Sequence, residues 1–390
     1  MSFDADVLIL GGGCAGLSLG VRLARDAAPR RRTLILERRE SYGNDRTWCF
    51  WRGAAHPFEQ LISRSWLKMR VRSRPAQVVV DCGVTPYQLL PAGAFYALAE
   101  AQIAAAPAVV LQRGVTVGVA PERIAGGWKF ETGAGSVTAR QVIDTRPPHR
   151  IAAGDALLWQ SFQGHEIECA SPVFDPSIVE LMDFDVSGDG GIAFTYLLPL
   201  SATRALVEYT VFGRHPRSAA SLDSVQRQAL HAATGGSPFA VLRQECGVLP
   251  MGLTVSSTHR AVDYHHVGLM SGAGRASTGY AFQRIQRWAE TAAASLHRHA
   301  FDVGQAPDAW HQRAMDRLFL QVLRDHPGRA PNLFLSMFRD ADTSRLIRFL
   351  SDRGTALDCA AIVATLPVGL FLRQLLRSDS SRAPLLRGST

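Results

Sequence analysis

A glycine-rich turn near the N-terminus joins a predicted strand to a predicted helix. The apolar run Ala5 to Leu10 has the length and composition of a buried strand, and the letters GGGCAG follow it directly. Cys14 to Arg25 then places apolar residues at helical spacing, and a second apolar stretch spans Thr33 to Leu36. A strand, a tight turn, a helix and another strand begin a βαβ unit, so the chain should contain a parallel sheet.

The glycines of this turn match the G-x-G-x-x-G pattern of dinucleotide-binding folds. The first permits the tight turn, the second lets the backbone approach a pyrophosphate, and the third lets the helix pack closely. The helix N-terminus offers N–H donors to an anion, and a carboxylate at the end of the second strand can accept hydrogen bonds from a ribose. The candidate cofactor contacts from this pattern are Gly11, Gly13, Cys14, Ala15, Gly16 and Glu37.

The rest of the chain favours FAD over NAD as the dinucleotide. A simple NAD dehydrogenase would continue in βα units, whereas here short β-like stretches surround one helical segment near Ala92 to Ala105. These stretches are Met69 to Val71, Gln77 to Val80, Gly114 to Val119 and Trp128 to Thr132. Gln141 to Asp144 then reads as a buried strand that returns to the first sheet. A late glycine-rich turn, Gly268 to Gly279, suits flavoproteins that wrap one FAD between distant segments.

We therefore predict an α/β (α+β) fold with two interleaved domains. The first is a Rossmann-type FAD-binding domain of the glutathione-reductase and aromatic-hydroxylase kind, and the second carries an antiparallel sheet for the substrate. Strand alternation in that sheet is clearest at Ile192 to Leu198 and Arg204 to Phe212. The predicted boundaries are 1–65, 92–150 and 245–300 for the FAD-binding domain, 66–91 and 151–244 for the substrate domain, and 301–390 for a helical C-terminal region.

Composition excludes several classes of protein. The chain has 390 residues, of which 47% are hydrophobic, and its net charge of +8 comes from scattered arginines rather than a basic run. We expect no nucleic-acid partner, since a membrane surface or a phosphate-rich cofactor accounts for the excess of positive charge equally well.

The six cysteines form no C-x-x-C pair, and the pairs His265/His266 and His297/His299 lack ligand partners at metal spacing. No signal peptide precedes the first strand, so we expect a reduced chain in the cytoplasm.

Three further motifs resemble those of bacterial lycopene β-cyclases, an FAD-dependent carotenoid cyclase family. The letters NDRTWCFW at Asn44 to Trp51 resemble the D-R-T-W-C-F-W signature of that family, and VEYT at Val207 to Thr210 resembles its acidic strand motif. GAGRASTGY at Gly272 to Tyr280 resembles its late flavin-contacting turn, although Ala276-Ser277 replaces the usual Pro-Thr. The resemblance follows the chain in order from residue 6 to about 376.

The resemblance implies a reaction, a cofactor and a set of contacts. The substrate would be lycopene, the intermediate γ-carotene and the product β-carotene, with FAD kept reduced by NAD(P)H and no net oxidation. Whether the flavin stabilises a carbocation or relays a proton stays open. Further flavin contacts would be Arg46, Gly272, Gly274, Arg275, Thr278 and Gly279, and substrate contacts would be Trp48, Phe50, Trp51, Tyr209 and Tyr280, although Tyr280 also suits helix packing.

Ring closure requires a carboxylic acid that stays protonated in a dry pocket, because an alkene is a very weak base. Glu208 suits this role: on an alternating strand it shares a face with Leu206, Thr210 and Phe212, and desolvation would raise its pKa. Asp45 is a second candidate, as a base or orienting group beside aromatic rings that could stabilise a cation. The alternatives are a surface glutamate at Glu208 and an ordinary turn at Asp45.

The C-terminal region carries a candidate membrane contact. Cys359 to Leu372 has low polarity and is followed by Arg373 and Arg377, but it is too short to span a bilayer and Pro367 interrupts it. It suits an interfacial segment at the inner face of the cell membrane, and a buried C-terminal helix is an equal alternative.

Two other functions share parts of this pattern. A flavin monooxygenase or prenyl-chain reductase would also need the FAD fingerprint and an apolar pocket, but would not need the Asp45 to Trp51 motif or Glu208. A prenyl-binding carrier on a flavoprotein scaffold would not need the intact fingerprint. Product mass distinguishes the enzymes, since cyclisation leaves the mass of lycopene unchanged.

Overall fold

The computed structural model describes residues 2–25, 31–118, 121–147, 152–184, 190–253, 261–298, 301 and 303–380. Its strands are β1 (Ala5–Leu10), β2 (Thr33–Leu36), β3 (Thr47–Trp51), β4 (Arg64–Trp66), β5 (Lys68–Ser73), β6 (Ala76–Asp81), β7 (Tyr87–Pro91), β8 (Val109–Gln112), β9 (Glu122–Ile124), β10 (Gly127–Thr132), β11 (Gly135–Asp144), β12 (Leu158–Cys169), β13 (Ile178–Asp183), β14 (Ile192–Pro199), β15 (Arg204–Gly213), β16 (Phe239–Met251) and β17 (Tyr264–His266). Its helices are α1 (Cys14–Ala24), α2 (Ala92–Ala104), α3 (Ala219–Thr234), α4 (Phe282–His297), α5 (Trp310–Asp325), α6 (Ala330–Asp340), α7 (Thr343–Leu350), α8 (Ala356–Ala364) and α9 (Val368–Ser380).

The first of two compact units comprises Met1–Ser65, Gln88–Asp155 and Leu253–Pro307. Its main sheet has the order β8-β2-β1-β11-β10-β9, and β17 pairs with β11. The pairs β1/β2, β1/β11, β2/β8 and β11/β17 are parallel, whereas β10 joins antiparallel to β9 and β11. β1 is buried along nearly its whole length, as a central parallel strand should be.

Helix α1 lies close to the parallel sheet because small residues face it. A Cβ added at Gly20 would lie 2.5 Å from Cδ1 of Ile35 on β2, so a larger residue here would require the Ile35 side chain to move. α1 also packs against α2 and α4. The shared apolar core includes Leu17, Ile35 and Ile143. This packing holds the N-terminus of α1 at the carboxyl end of β1.

The second unit comprises Trp66–Tyr87, Ala156–Gly252 and Asp308–Thr390. Its sheet has the order β16-β12-β15-β14-β13-β5-β6, in which the neighbours are antiparallel except for the parallel pair β13/β5. α3 packs on β12 and β15. This helix begins at the side-chain cap of Ser218 and ends at Gly235 with φ of 59°.

Five helices, α5 to α9, complete the second unit. α8 begins with a capping box between Thr355 and Asp358, and α9 begins directly after Pro367, which cannot continue a helix. In the part of the chain that the structure describes, no single helix has the length and apolarity to cross a membrane. The segments Ala356–Ala364 and Val368–Arg377 meet those criteria only together, with a bend of 103° between them.

The predicted α/β fold is confirmed, with a Rossmann-type parallel sheet, a mainly antiparallel second sheet and a helical C-terminal part. The helix predicted near Ala92 to Ala105 and the return strand at Gln141 to Asp144 are also present.

Four details of the predicted organisation differ from the structure. Residues 245–251 belong to the second sheet, because β16 pairs with β12 along its whole length. Residues 308–380 belong to the second unit rather than to a separate region, and 88–91 belong to the first unit. Residues 114–118 form no strand apart from an isolated bridge at Val117, and Val119 lies outside the described residues.

Candidate active site

The glycine-rich turn at Gly11 to Gly16, here called the fingerprint turn, adopts the geometry that its glycines predict. Gly11 has φ of +95°, a region that favours glycine, and an added Cβ there would lie 2.7 Å from Oγ1 of Thr145. A Cβ at Gly16 would lie 2.0 Å from the carbonyl oxygen of Gly11, which no side chain could tolerate. Both glycines are therefore required by the fold itself.

Gly13 differs from these two glycines because the space beside it is open. A Cβ added there would meet no atom within 4 Å. Gly13 is the N-cap residue of α1, which has no side-chain cap and no acidic residue in its first turn. Its uncapped N–H groups, among them those of Cys14 and Ala15, can donate to an anion. The turn therefore fits the pyrophosphate of a dinucleotide.

Glu37 directly follows β2 and is held beside the turn. Its Oε2 accepts the N–H of Gly12 at 2.6 Å, and its Oε1 accepts the N–H of Arg39 at 2.8 Å. Burial alone would raise the pKa of Glu37, but the hydrogen bonds and charge of Arg39 outweigh it and lower the pKa. Glu37 is therefore ionised near neutral pH, as an acceptor for ribose hydroxyls must be.

The Arg39 side chain connects Glu37 to Asp45 in the Asn44 to Trp51 motif. The sequence analysis did not identify Arg39 as a site residue. Its guanidinium lies 4.7 Å from the ring centroid of Tyr42, and Nη1 is 3.3 Å from Oδ2 of Asp45. Among the described residues, no hydrogen-bond partner reaches the buried Oδ1 of Asp45. Arg46 is exposed, and its Nη1 donates to the carbonyl oxygen of Asp45 at 2.6 Å. The only sequence signal for Arg39 was its place two residues after Glu37.

The late glycine-rich turn lies beside the start of α1. A Cβ at Gly268 would be 3.5 Å from Cβ of Ala15, so these distant segments meet as predicted for a flavoprotein. Gly272 and Gly279 have positive φ of 96° and 72°. The remaining predicted contacts of this turn are Gly274, Arg275 and Thr278, and the Arg275 side chain is buried.

Backbone hydrogen bonds close this turn although it lacks the proline of the family pattern. The N–H of Arg275 donates to the carbonyl oxygen of Tyr280 at 3.1 Å, and the carbonyl oxygen of Arg275 accepts the N–H of Gly279 at 2.9 Å. The replacement at Ala276 and Ser277 therefore leaves the turn defined by its backbone.

The aromatic residues of β3 point alternately to two sides. Trp48 and Phe50 stack on Phe282, with ring centroids 5.1 Å and 5.3 Å away. Phe50 is buried in the core of the first unit and leaves little surface for a substrate, because Phe282 and its neighbours cover it. Trp51 packs on Tyr280 with centroids 5.4 Å apart. Phe50 therefore packs in the core of the first unit, and its role as a substrate contact stays a prediction, as do those of Trp48 and Trp51.

Glu208 lies on β15, on the face of the second sheet opposite α3. The other face carries Val207, Tyr209 and Val211, which pack with residues of α3. Tyr209 is 2% exposed, and its N–H donates to Oε1 of Gln226 on α3 at 2.9 Å. Because neighbouring residues of a strand face opposite ways, Tyr209 cannot contact a substrate that lies against Glu208. Tyr209 therefore packs against α3, and this geometry does not support its predicted role as a substrate contact.

The Glu208 carboxyl has the properties of a buried acid. The side chain is buried, and its Oε1 accepts the hydroxyl of Thr210 at 2.8 Å. Burial raises the pKa of Glu208 to about 8, and the nearby Glu245 carboxylate adds to the rise against a lowering by Thr210. The group is thus protonated near neutral pH and can donate a proton.

Cys14 lies in the fingerprint turn, and its thiol is buried. Burial raises the pKa of the Cys14 thiol to about 12, so this thiol stays protonated. Among the described residues, no group of three or more His, Cys, Asp or Glu is placed to hold a metal ion. His299 lies outside those residues.

Comparison with known proteins identifies a family. The family of lycopene cyclase proteins matches residues 6–376 of this chain. A lycopene beta-cyclase of Pseudescherichia vulneris is 25% identical over 382 residues, which cover 93% of this chain and 94% of that protein. A lycopene beta-cyclase of Paracoccus sp. (strain N81106 / MBIC 01143) is 27% identical over 398 residues, which cover 95% of this chain and 97% of that protein.

Solved structures share the fold at low identity. The flavin-dependent monooxygenase PieE, solved with FAD and substrate, superposes with a TM-score of 0.61 at 13% identity, covering 93% of this chain and 72% of that one. A geranylgeranyl bacteriochlorophyll reductase-like protein from Thermoplasma acidophilum superposes with a TM-score of 0.58 at 13% identity, covering 95% of each chain. These similarities establish the fold.

Proposed function

Because this chain belongs to the lycopene cyclase family, we propose that it is a lycopene β-cyclase, which converts lycopene through γ-carotene to β-carotene. The observation that carries the proposal is the buried Glu208, whose pKa of about 8 keeps it protonated, on a strand with the acidic motif of that family. An acid of this kind is what cyclisation of a hydrocarbon requires, and no redox step is needed.

Each ring would form in three balanced steps. Glu208 donates a proton to C2 of the terminal C1=C2 double bond, which leaves a cation at C1. The C5=C6 double bond attacks C1, which closes the ring and moves the cation to C5. Loss of the proton on C6 to a carboxylate restores the C5=C6 double bond. The proton that enters balances the proton that leaves, so the reaction is an isomerisation.

We propose FAD as the cofactor, because the fingerprint turn, Glu37 and the late turn fit a dinucleotide. The residues that would hold it are Gly11, Gly13, Cys14, Ala15, Gly16, Glu37, Arg46, Gly272, Gly274, Arg275, Thr278 and Gly279. When bound in its reduced form, kept so by NAD(P)H, the cofactor supplies negative charge that stabilises a carbocation. Asp45, with its unpartnered Oδ1 among the described residues, is the proposed second carboxylate of this unit.

Product analysis tests the proposal. Expressed in a bacterium that accumulates lycopene, the chain should yield β-carotene, whose mass equals that of lycopene. The purified enzyme should oxidise far less than one NAD(P)H per ring formed. A product that gains oxygen would instead identify a monooxygenase, and one that gains hydrogen a reductase.

The C-terminal helices suggest how the enzyme reaches a substrate dissolved in lipid. α9 exposes Leu372, Leu375 and Leu376, whose exposed fractions are 54%, 47% and 68%, and Arg373 lies between them. Apolar side chains beside a cation suit the boundary between headgroups and acyl chains of an anionic leaflet. We therefore place α9 at the inner face of the cell membrane, with the enzyme peripheral and otherwise cytoplasmic.

Adding negative charge to the exposed leucines of α9 tests this placement. Leu372→Glu combined with Leu376→Glu should lower the fraction bound to anionic phospholipid vesicles by about tenfold or more, since two leucines lose apolar contact and two anions are added. The control is Val84→Glu in the second unit, where the native valine is 93% exposed. FAD content should stay normal in both proteins. If the α9 variant binds vesicles as well as the control does, α9 is not the membrane contact.

A further inference from the structure

A second buried carboxylate lies beside Glu208 on the same face of the sheet. In the strand register, Glu208 on β15 is opposite Gly164 on β12, and Gly164 is opposite Glu245 on β16. Residues directly opposite one another share a face, so the two glutamates flank the glycine. A Cβ added at Gly164 would lie 3.3 Å from both Cβ of Glu208 and Cγ of Glu245. The glycine therefore lets the two acidic side chains approach each other.

The two carboxyls have different partners in this buried row. Glu245 is 6% exposed and forms an ion pair with Arg243. Glu208 is 7% exposed and accepts a hydrogen bond from the Thr210 hydroxyl. An arginine partner favours an ionised carboxylate, whereas a buried carboxyl with a hydroxyl partner favours its neutral form. Glu245 is thus the anion of the pair and Glu208 the acid.

Among the described residues, the charged neighbours of Glu208 and Glu245 on this face are held in ion pairs. Glu166, next to Gly164 on the same face of β12, bonds Arg204 and Arg243. Opposite Glu208 on β14 lies Tyr196, whose hydroxyl donates to the hydroxyl of Tyr87 at 2.9 Å. The charge that acts on Glu208 in this row is therefore that of Glu245.

We propose that Glu245 is a positioning residue that keeps Glu208 protonated before each ring closure and favours its reprotonation afterwards. This inference rests on the proposed role of Glu208 as proton donor. After Glu208 donates its proton to C2, two carboxylates face each other in a buried place, which is unfavourable. Glu208 regains a proton from C6 of the closed ring or from solvent, and Glu245 keeps its charge throughout.

The protonated fraction of Glu208 at pH 7 shows why burial beside the Glu245 carboxylate matters. A glutamate with an ordinary pKa near 4.5 would be protonated in roughly one molecule in three hundred at pH 7. A pKa of about 8 makes it protonated in about nine molecules in ten at that pH. Burial and Glu245 therefore multiply the active fraction more than a hundredfold.

The pH dependence of activity tests the proposal. Wild-type kcat should fall as pH rises through about 8, where Glu208 loses its proton. In Glu245→Gln the fall should begin about one pH unit lower, so that activity at pH 6 is nearly retained while activity at pH 8 drops about fivefold. Glu245→Asp keeps the negative charge, so the dependence of its kcat on pH should stay close to that of the wild type.

A second variant covers the case in which Glu245→Gln alone misfolds because Arg243 loses a partner. The double variant Arg243→Gln with Glu245→Gln removes both charges, and its pH profile should shift in the same direction. FAD content and circular dichroism verify folding. A uniform loss of activity at every pH, with the profile unmoved, would show that Glu245 is only structural and overturn the inference. Glu208→Gln tests the proposed function separately, since its full activity would overturn that function whatever Glu245 does.

Discussion

Glu208→Gln is expected to lower the rate of lycopene cyclisation by about a hundred- to ten-thousand-fold, with FAD content unchanged. Glutamine keeps the shape of the side chain but has no acidic proton, and a carbocation has no easy route from water in a dry pocket. Glu208→Asp should retain a trace of activity, because the acid remains but lies about one methylene short. A displacement of that size costs about a hundredfold.

The control for this variant is Glu131→Gln, which removes an exposed carboxylate on β10 of the first unit. It should leave activity and FAD content unchanged. If Glu208→Gln converts lycopene at nearly the wild-type rate, the proton comes from elsewhere, and Asp45 or the reduced flavin becomes the leading donor.

Stability supplies a readout of Glu208 that needs no substrate. Its folded-state pKa is raised from the ordinary 4.5 to about 8, so the folded state binds the proton more tightly than the unfolded state. This contribution to the free energy of unfolding is complete below about pH 4.5 and is lost as pH rises through about 8. Glu208→Gln should therefore flatten the decline in stability between pH 5 and 8 in denaturant titrations.

Gly13→Val is expected to abolish FAD binding while leaving the fold intact. The added side chain enters open space, since nothing lies within 4 Å of a Cβ at this position. That space is where the backbone would meet the pyrophosphate, so a branched side chain excludes the ligand. The purified variant should lack flavin absorbance and show a normal circular dichroism spectrum.

The matched control is Gly133→Val, at an exposed turn between β10 and β11 where an added Cβ also meets nothing within 4 Å. This variant should bind FAD normally. Gly16→Val should behave differently from both, because its Cβ would lie 2.0 Å from the carbonyl oxygen of Gly11 and the fold itself should fail. Normal flavin absorbance in Gly13→Val would contradict the predicted cofactor site.

Local patterns in the sequence predicted the parts of the structure that depend on neighbouring residues. Because side chains alternate along a strand, the sequence predicted that Glu208 and Tyr209 of β15 lie on opposite faces of the sheet, and the structure confirms it. The fingerprint turn followed from its glycines and its position between a strand and a helix. What these elements share is that their geometry is determined within about ten residues.

The parts that sequence reasoning missed depend on pairing between distant strands. Glu245 lies beside Glu208 only because β12 pairs with both β15 and β16, in a register that includes an irregularity at Glu166. No periodicity in the sequence reports such a register. Similarly, the aromatic letters of β3 did not report that Phe50 stacks on Phe282 of α4.

The isotope content of the product tests most directly whether the reaction is an acid-catalysed isomerisation. Enzyme fully exchanged into D₂O, with reduced FAD and in excess over lycopene, should place one deuterium at C2 of the first ring that each enzyme molecule forms and remove the hydrogen of C6. In ordinary water the product should have the mass of lycopene. A first ring that forms without deuterium, or a product that gains oxygen or a pair of hydrogens, would contradict protonation by an exchangeable carboxyl as the step that starts cyclisation.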